Sequence, residues 1–283
     1  MSDEPAESPR PADLARAFGA VARTYDRGRP GYPAAAAEWL MGGEAKVVLE
    51  LGAGTGKLTR ELVDQGHAVF ATEPDEAMLE VLRERVPEVS AKVATAEEIP
   101  ANDRSVDVVV VAQAFHWFDH EAALPEMARV LKPGGHVALV WNFFDQRIPW
   151  VRRLVNVVGE HSASSHASSD VLADHELFEP AERTTFAFWQ DVTRDTLVDI
   201  VASRSYVASL PAAEREARLD AVRALYDEYG RGHDGMQLPY VTECFRAKVR
   251  DLREETGTED GTGEDRPSVS DGSDTDMLLI DFR

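Results

Sequence analysis

Val47-Val48-Leu49-Glu50-Leu51-Gly52-Ala53-Gly54-Thr55-Gly56 is the stretch on which the reading of this sequence turns. Five strand-forming residues run directly into a loop with glycine at alternate positions, and Lys57-Leu58-Thr59-Arg60-Glu61-Leu62 continues at helical spacing. Glycine admits positive φ and lets a ligand approach the backbone closely, while the first turn of a helix offers free N–H groups. A dinucleotide site wants G-x-G-x-x-G, and position 57 is lysine instead of glycine. A Walker loop wants Gly-Lys-Ser/Thr, and Gly56-Lys57 is followed by Leu58. The loop is therefore G-x-G-x-G, with Glu50 two residues ahead of its first glycine. Alone, such a loop can also be a tight turn.

Outward from this loop, residues 46–142 alternate short apolar runs with helical stretches. Strands are predicted at 47–51, 68–72, 91–94, 106–112 and 136–141, and helices at 57–65, 76–86 and 119–131. This alternation predicts a parallel sheet covered on both faces. Residues 106–111 (Val-Asp-Val-Val-Val-Val) are nearly all β-branched, as a doubly buried strand requires. Lys132-Pro133-Gly134-Gly135 stops a helix and turns into the next strand. Upstream, Leu14, Phe18 and Val21 predict an amphipathic helix over 12–24, and the prolines and glycines of 25–33 predict a loop. Downstream, helices are expected at 150–160, 195–203 and 212–229, and strands at 183–190 and 237–249. Residues 1–11 read as a disordered lead and 254–283 as an acidic disordered tail with an apolar end.

The chain has 283 residues, with 30 basic against 51 acidic side chains, a formal charge of −21. Residues 251–283 carry 11 acids and 3 bases, which leaves −13 on the remainder. That field repels phosphate backbones and anionic membranes, so nucleic acid is a disfavoured partner; a high-salt source would produce the same acidity. The single cysteine, Cys244, permits no internal disulfide. With no secretory block in Met1-Ser2-Asp3-Glu4-Pro5, a cytoplasmic location is expected. No apolar run reaches membrane-spanning length.

Spacing adds weight to the loop. Glu73 closes the second strand 21 residues after Gly52, where an acid can accept both hydroxyls of a ribose. Thr95-Ala96-Glu97 follows the third strand, where a carboxylate can take an adenine amino group. Either acid alone is an ordinary loop residue; both at strand ends of one sheet point to a site.

Residues 48–56, Glu73 with Pro74 and Met78, Ala96-Glu97, and Arg129-Val130-Leu131-Lys132-Pro133-Gly134-Gly135 together resemble the class I S-adenosylmethionine-dependent methyltransferases. Ala112-Gln113-Ala114-Phe115-His116-Trp117-Phe118, with Tyr25-Asp26-Arg27-Gly28-Arg29-Pro30-Gly31-Tyr32-Pro33 upstream, resembles the branch containing trans-aconitate-type methyltransferases. The resemblance implies an α/β fold: a Rossmann-like doubly wound sheet, mostly parallel with an antiparallel last strand, plus an N-terminal lid and a helical cap. The methyltransferase domain would span 12–253, with a cofactor-binding core at 46–142 and a cap and substrate region at 143–235. It implies S-adenosyl-L-methionine as cofactor. Gly52, Ala53, Gly54 and Gly56 would pass along its methionine part, with Glu50 near the amino group. Glu73 would bind the ribose, Pro74 and Met78 would flank the adenine, and Ala96 and Glu97 would meet its edge. Gln113 and Ala114 would lie beside the amino-acid moiety. Tyr25 and Arg29 would close the pocket, with Arg29 a partner for the carboxylate.

Methyl transfer is an in-line displacement that needs no metal, and no C-x-x-C or H-E-x-x-H pattern is present. His116 is the candidate base, with a hydrogen-bonded wall residue as the bland alternative; Phe115, Trp117 and Asn142 are candidates for the acceptor side. Trp150, Trp189, Tyr206 and Tyr240 read more readily as core than as acceptor walls, and Arg204 more readily as a surface residue than as an anion ligand. The expected reaction is methylation of a small molecule, O-directed, with a carboxylate among the acceptors considered. The alternatives are action on a protein or RNA, a cofactor-binding regulator without turnover, and a dehydrogenase.

Overall fold

The computed structural model describes residues 22–159, 170–172, 175–230 and 235–250, with backbone alone at 23–25 and 205. The readings placed on 1–21, on the Tyr25 side chain and on 251–283 lie outside the described residues.

The sheet has seven strands in the order β3-β2-β1-β4-β5-β7-β6. They are β1 (Val47–Leu51), β2 (Ala68–Thr72), β3 (Ser90–Lys92), β4 (Val106–Ala112), β5 (Leu131–Phe144), β6 (Glu182–Val192) and β7 (Met236–Lys248). The first five pair in parallel, and β7 inserts antiparallel between β5 and β6. This is a Rossmann-like doubly wound sheet, mostly parallel with antiparallel pairing at one end. The helices are α1 (Ala22–Gly28), α2 (Ala34–Met41), α3 (Lys57–Asp64), α4 (Glu76–Arg85), α5 (His120–Val130), α6 (Pro149–Val158), α7 (Arg194–Ala202), α8 (Ser205–Ala208) and α9 (Ala212–Tyr229). Among the described residues, no helix is long and apolar enough to cross a membrane.

Alternation along the central strands splits the core. Val48, Val108, Val110 and Val140 face α2, α3 and α4 through Leu40, Leu62 and Leu82. Leu49, Leu51, Val109, Val111 and Leu139 face α5 through Leu124 and Met127. Val108 to Val111 are fully buried on both sides, which accounts for the β-branched run. A third cluster joins α6, α7 and α9 to Phe144, Leu238 and Tyr240.

Four sequence expectations need correction. Residues 25–33 are not all loop, because α1 runs through Gly28; the breakers Gly28 and Pro30 end this helix and do not prevent it. A Cβ on Gly28 would lie 2.4 Å from the Asp199 carbonyl oxygen, so glycine lets α1 lie directly on α7. The strand expected at 136–141 is longer, Leu131–Phe144, and Lys132 to Gly135 turn within it as a bulge between the pairs Val106–Leu131 and Val108–His136. Trp189 and Tyr206 are not core; they are 57% and 45% exposed, Trp189 because β6 is the outer strand of the sheet. Arg204 is not a surface residue: it is buried, with its guanidinium 4.2 Å from the centre of the Phe144 ring.

Candidate functional site

The chain winds outward from β1 to β3, then crosses back to place β4 on the other side of β1. The connections that leave the carboxyl ends of β1 and β4 therefore run to opposite sides, and a crevice opens where ligands bind in such sheets. A narrow cleft open to solvent lies there. Its floor is Glu50, Gly52, Ala53, Gly54 and Thr55, with Lys57 and Leu58 at the start of α3. One wall is Ala112, Gln113 and Asn142 at the ends of β4 and β5, and the other is Arg29, Pro30 and Tyr32 from the N-terminal side.

The glycine loop is shaped by contact. Gly52 has φ +66°, and a Cβ there would fall 2.7 Å from the Ala114 Cβ, so the loop packs closely on the end of β4. Gly54, at φ +57°, would meet nothing within 4 Å; its open side faces space a ligand can use. Opposite, Gln113 holds φ +60°, a strained value for a residue with a side chain. Its amide N–H donates to the Val140 carbonyl at 2.9 Å and its side chain donates to the Asn142 carbonyl at 3.3 Å.

Two carboxylates lie beneath the loop. Glu50 is almost fully buried and accepts a 2.6 Å hydrogen bond from the Thr59 hydroxyl, in the first turn of α3. Burial pushes its pKa up to about 8; the Thr59 hydrogen bond opposes that and the Glu73 charge adds to it. Glu73 accepts from the Gly54 N–H at 2.9 Å and the Asp75 N–H at 3.1 Å. Burial still carries it up to about 7, against both hydrogen bonds. Two buried acids held this far above their ordinary range, one on the cleft floor and one against the loop, mark a candidate functional site. Thr55 also lines the cleft, and its buried hydroxyl has no protein partner among the described residues. Lys57 lies 3.8 Å from Asp26 of α1. Burial lowers its pKa, with the Asp26 charge opposing. Asp26 also pairs with Arg85 at the end of α4, so one acid ties α1 to two elements flanking the loop.

The residues expected at the site are not all at the cleft. Glu50, Gly52, Ala53, Gly54, Gln113, Asn142 and Arg29 line it, while Glu73 reaches it through the Gly54 N–H. Gly56 lies behind, at the head of α3, against Leu82. Met78 is buried against Ala22 and Val81, with α1 lying over α4. Pro74 and Ala96 are not among the lining residues. Glu97 accepts from the Asp119 N–H at 2.9 Å and so fixes the start of α5.

On the acceptor side, Phe115 must be corrected. It is fully buried in the core, with the His120 ring stacked on it at 4.5 Å, and offers no wall to a ligand. Asn142 lines the cleft, and each end of its amide is held by protein. Nδ2 donates to the Gly31 carbonyl at 3.0 Å, and Oδ1 accepts from the Thr242 hydroxyl at 2.7 Å. His116 sits in a 3-10 turn after β4 with its ring 4.6 Å from that of Trp117. Burial first, then the positive Arg29, bring its pKa down to about 4, so the imidazole is neutral at pH 7.

Sequence reasoning missed Thr59, Asp26 and Thr242. Thr59 and Glu50 are nine residues apart and Thr242 and Asn142 are 100 apart, and neither spacing is a periodic signal. Asp26 was visible only as part of a longer quoted motif.

Residues 49–139 match the methyltransferase domain family. An uncharacterized methyltransferase of Mycobacterium tuberculosis is 45% identical over 239 residues, covering 84% of this chain and 97% of the relative. A methyltransferase-like protein of Schizosaccharomyces pombe is 34% identical over 237 residues, covering 79% and 92%. Among solved structures, a candidate type II methyltransferase from Anaeromyxobacter dehalogenans superposes with a TM-score of 0.59 at 26% identity, covering 78% of this chain and 97% of that one. A candidate methyltransferase from an antibiotic biosynthesis pathway of Anabaena variabilis, at 22% identity and TM-score 0.56, shares the fold over 75% and 95%. Similarity that runs almost the full length of the Mycobacterium relative establishes the assignment: the chain belongs to the class I S-adenosylmethionine-dependent methyltransferases.

Proposed function

We propose that this chain transfers the methyl group of S-adenosylmethionine, held across the Gly52–Thr55 loop, to an oxygen of a small-molecule acceptor. The observation that carries the reading is the buried Glu50 carboxylate on the cleft floor, beside a glycine loop that stays open at Gly54. The bound cofactor supplies a sulfonium methyl for in-line displacement. Glu50 receives its ammonium group, and Arg29, across the cleft, takes its carboxylate. Each Glu73 oxygen already accepts one backbone N–H and keeps a lone pair for a ribose hydroxyl. Pro74, Met78, Ala96 and Glu97 mark the direction of the adenine. Gln113 closes the methionine end, and Thr55 offers a hydroxyl to the same moiety.

The acceptor approaches past His116 and Trp117. A histidine held at about 4 is a weak proton acceptor. This favours an acceptor that needs no base, and a carboxylate is already nucleophilic. It fits the resemblance of residues 25–33 and 112–118 to the trans-aconitate-type branch. His116 then orients the acceptor and does not deprotonate it. The net charge of −21 supports a small molecule over a nucleic acid. Titration calorimetry with S-adenosylhomocysteine and with NAD tests the cofactor. Binding of the thioether alone is expected, and tighter binding of NAD would overturn the proposal.

A further inference from the structure

Asn142 stands where three parts of the cleft meet. Its main-chain carbonyl accepts from Gln113, whose backbone is held at positive φ. Its side chain reaches the Gly31 carbonyl, in the loop that carries Arg29, Pro30 and Tyr32 to the cleft wall. A carbonyl only accepts, so the amide must present nitrogen to Gly31 and oxygen to the opposite side. Thr242 lies on that side. It is the register partner of Asn142 on β7, it is fully buried, and its hydroxyl donates to the amide oxygen at 2.7 Å. Valine would suit a buried strand equally well in shape. A hydroxyl at this position satisfies an acceptor that would otherwise be buried without a partner.

We propose that Thr242 is a positioning residue of the cleft: its hydroxyl holds the Asn142 amide in the orientation that anchors the 29–33 loop as the cleft wall. Without that hydroxyl, the amide oxygen is buried and unsatisfied. The amide then turns to find another donor, and the hydrogen bond to Gly31 is lost with it. Arg29 and Tyr32 move away from the ligand as a consequence. This rests on the assignment of the cleft to the cofactor, but the loop itself can be followed without any ligand.

The test uses the full chain as Thr242→Val, Thr242→Ser and Asn142→Asp. Hydrogen exchange reads the amides of Arg29, Gly31 and Tyr32, and calorimetry reads S-adenosylhomocysteine affinity. Thr242→Val should speed loop exchange about tenfold and weaken the thioether roughly five- to tenfold, while Thr242→Ser restores both. Asn142→Asp keeps the acceptor for Thr242 but removes the donor to Gly31, so it should loosen the same loop; it carries the test if the valine variant does not fold. Loop exchange within twofold of wild type in the folded variants, whatever their melting temperatures, overturns the proposal. So does failure of the serine variant to restore it. If wild type binds no S-adenosylhomocysteine, the cofactor reading falls, and loop exchange alone decides the role of Thr242.

Discussion

Replacing Glu50 with glutamine changes one buried atom and removes one titration. In the ligand-free protein Glu50 has a pKa of about 8, against an ordinary value of 4.5. At pH 7 it is therefore about nine-tenths protonated, and at pH 9 about one-tenth. An ammonium group seated on it selects the ionised form, so binding must expel that proton. Wild type should release about 0.9 proton per S-adenosylhomocysteine at pH 7 from Glu50, with up to about 0.5 more from Glu73, whose pKa is about 7. Affinity should rise about fivefold from pH 7 to pH 8 for the same reason, before loss of the ligand's own ammonium proton opposes it. Calorimetry in two buffers of different ionisation enthalpy counts the protons directly. Glu50→Gln should abolish most of the release and weaken binding about 10- to 100-fold, the range for a lost hydrogen bond to a charged group. The stability of the empty protein carries the opposite sign. An acid raised on folding stabilises fully below its unfolded value of 4.5, and that contribution is lost as pH rises through 7 to 8. Wild type should therefore melt lower at pH 9 than at pH 5, and Glu50→Gln should flatten that slope. A proton release near zero at pH 7, or one unchanged in the glutamine variant, would refute the reasoning.

Glu73→Ala should reduce S-adenosylhomocysteine affinity at least tenfold by calorimetry; an unchanged affinity would remove its ribose role. Gly52→Ala forces a side chain to φ +66° and 2.7 Å from Ala114. A loss of about 1–3 kcal/mol is expected from the backbone alone, read as a lower melting temperature, and an unchanged melt would contradict the close packing. His116→Ala should retain most turnover once an acceptor is identified, since a group held at about 4 does little as a base. A collapse of turnover, with an inflection lost from the pH–rate profile, would restore His116 as the base.

The order of strands and helices through the parallel half was legible because each signal is local. A short β-branched run such as 108–111 reads as a buried strand, and glycines at 52, 54 and 56 read as a turn, where all three take positive φ. Glu73 could be marked because the end of a parallel strand is located by counting residues, whereas Glu50 was marked only by the resemblance; the structure puts Glu50 on the cleft floor and ties Glu73 to the Gly54 N–H. The sequence also placed β7, whose antiparallel pairing with β5 the structure shows. What it could not decide were contacts between distant segments. Phe115 and His116 are neighbours in the chain, yet only packing says that one is core and the other stands in a partly buried turn. Arg204 looked like surface until Phe144 was folded against it. The unusual pKa of Glu50 comes from burial, which has no sequence signature. The link from Thr242 through Asn142 to Gly31 joins β7, β5 and the 29–33 loop across more than 200 positions. Periodicity and turn chemistry act over a few residues and are written in the sequence, whereas a hydrogen bond between segments exists only once the core has set their distance and excluded water.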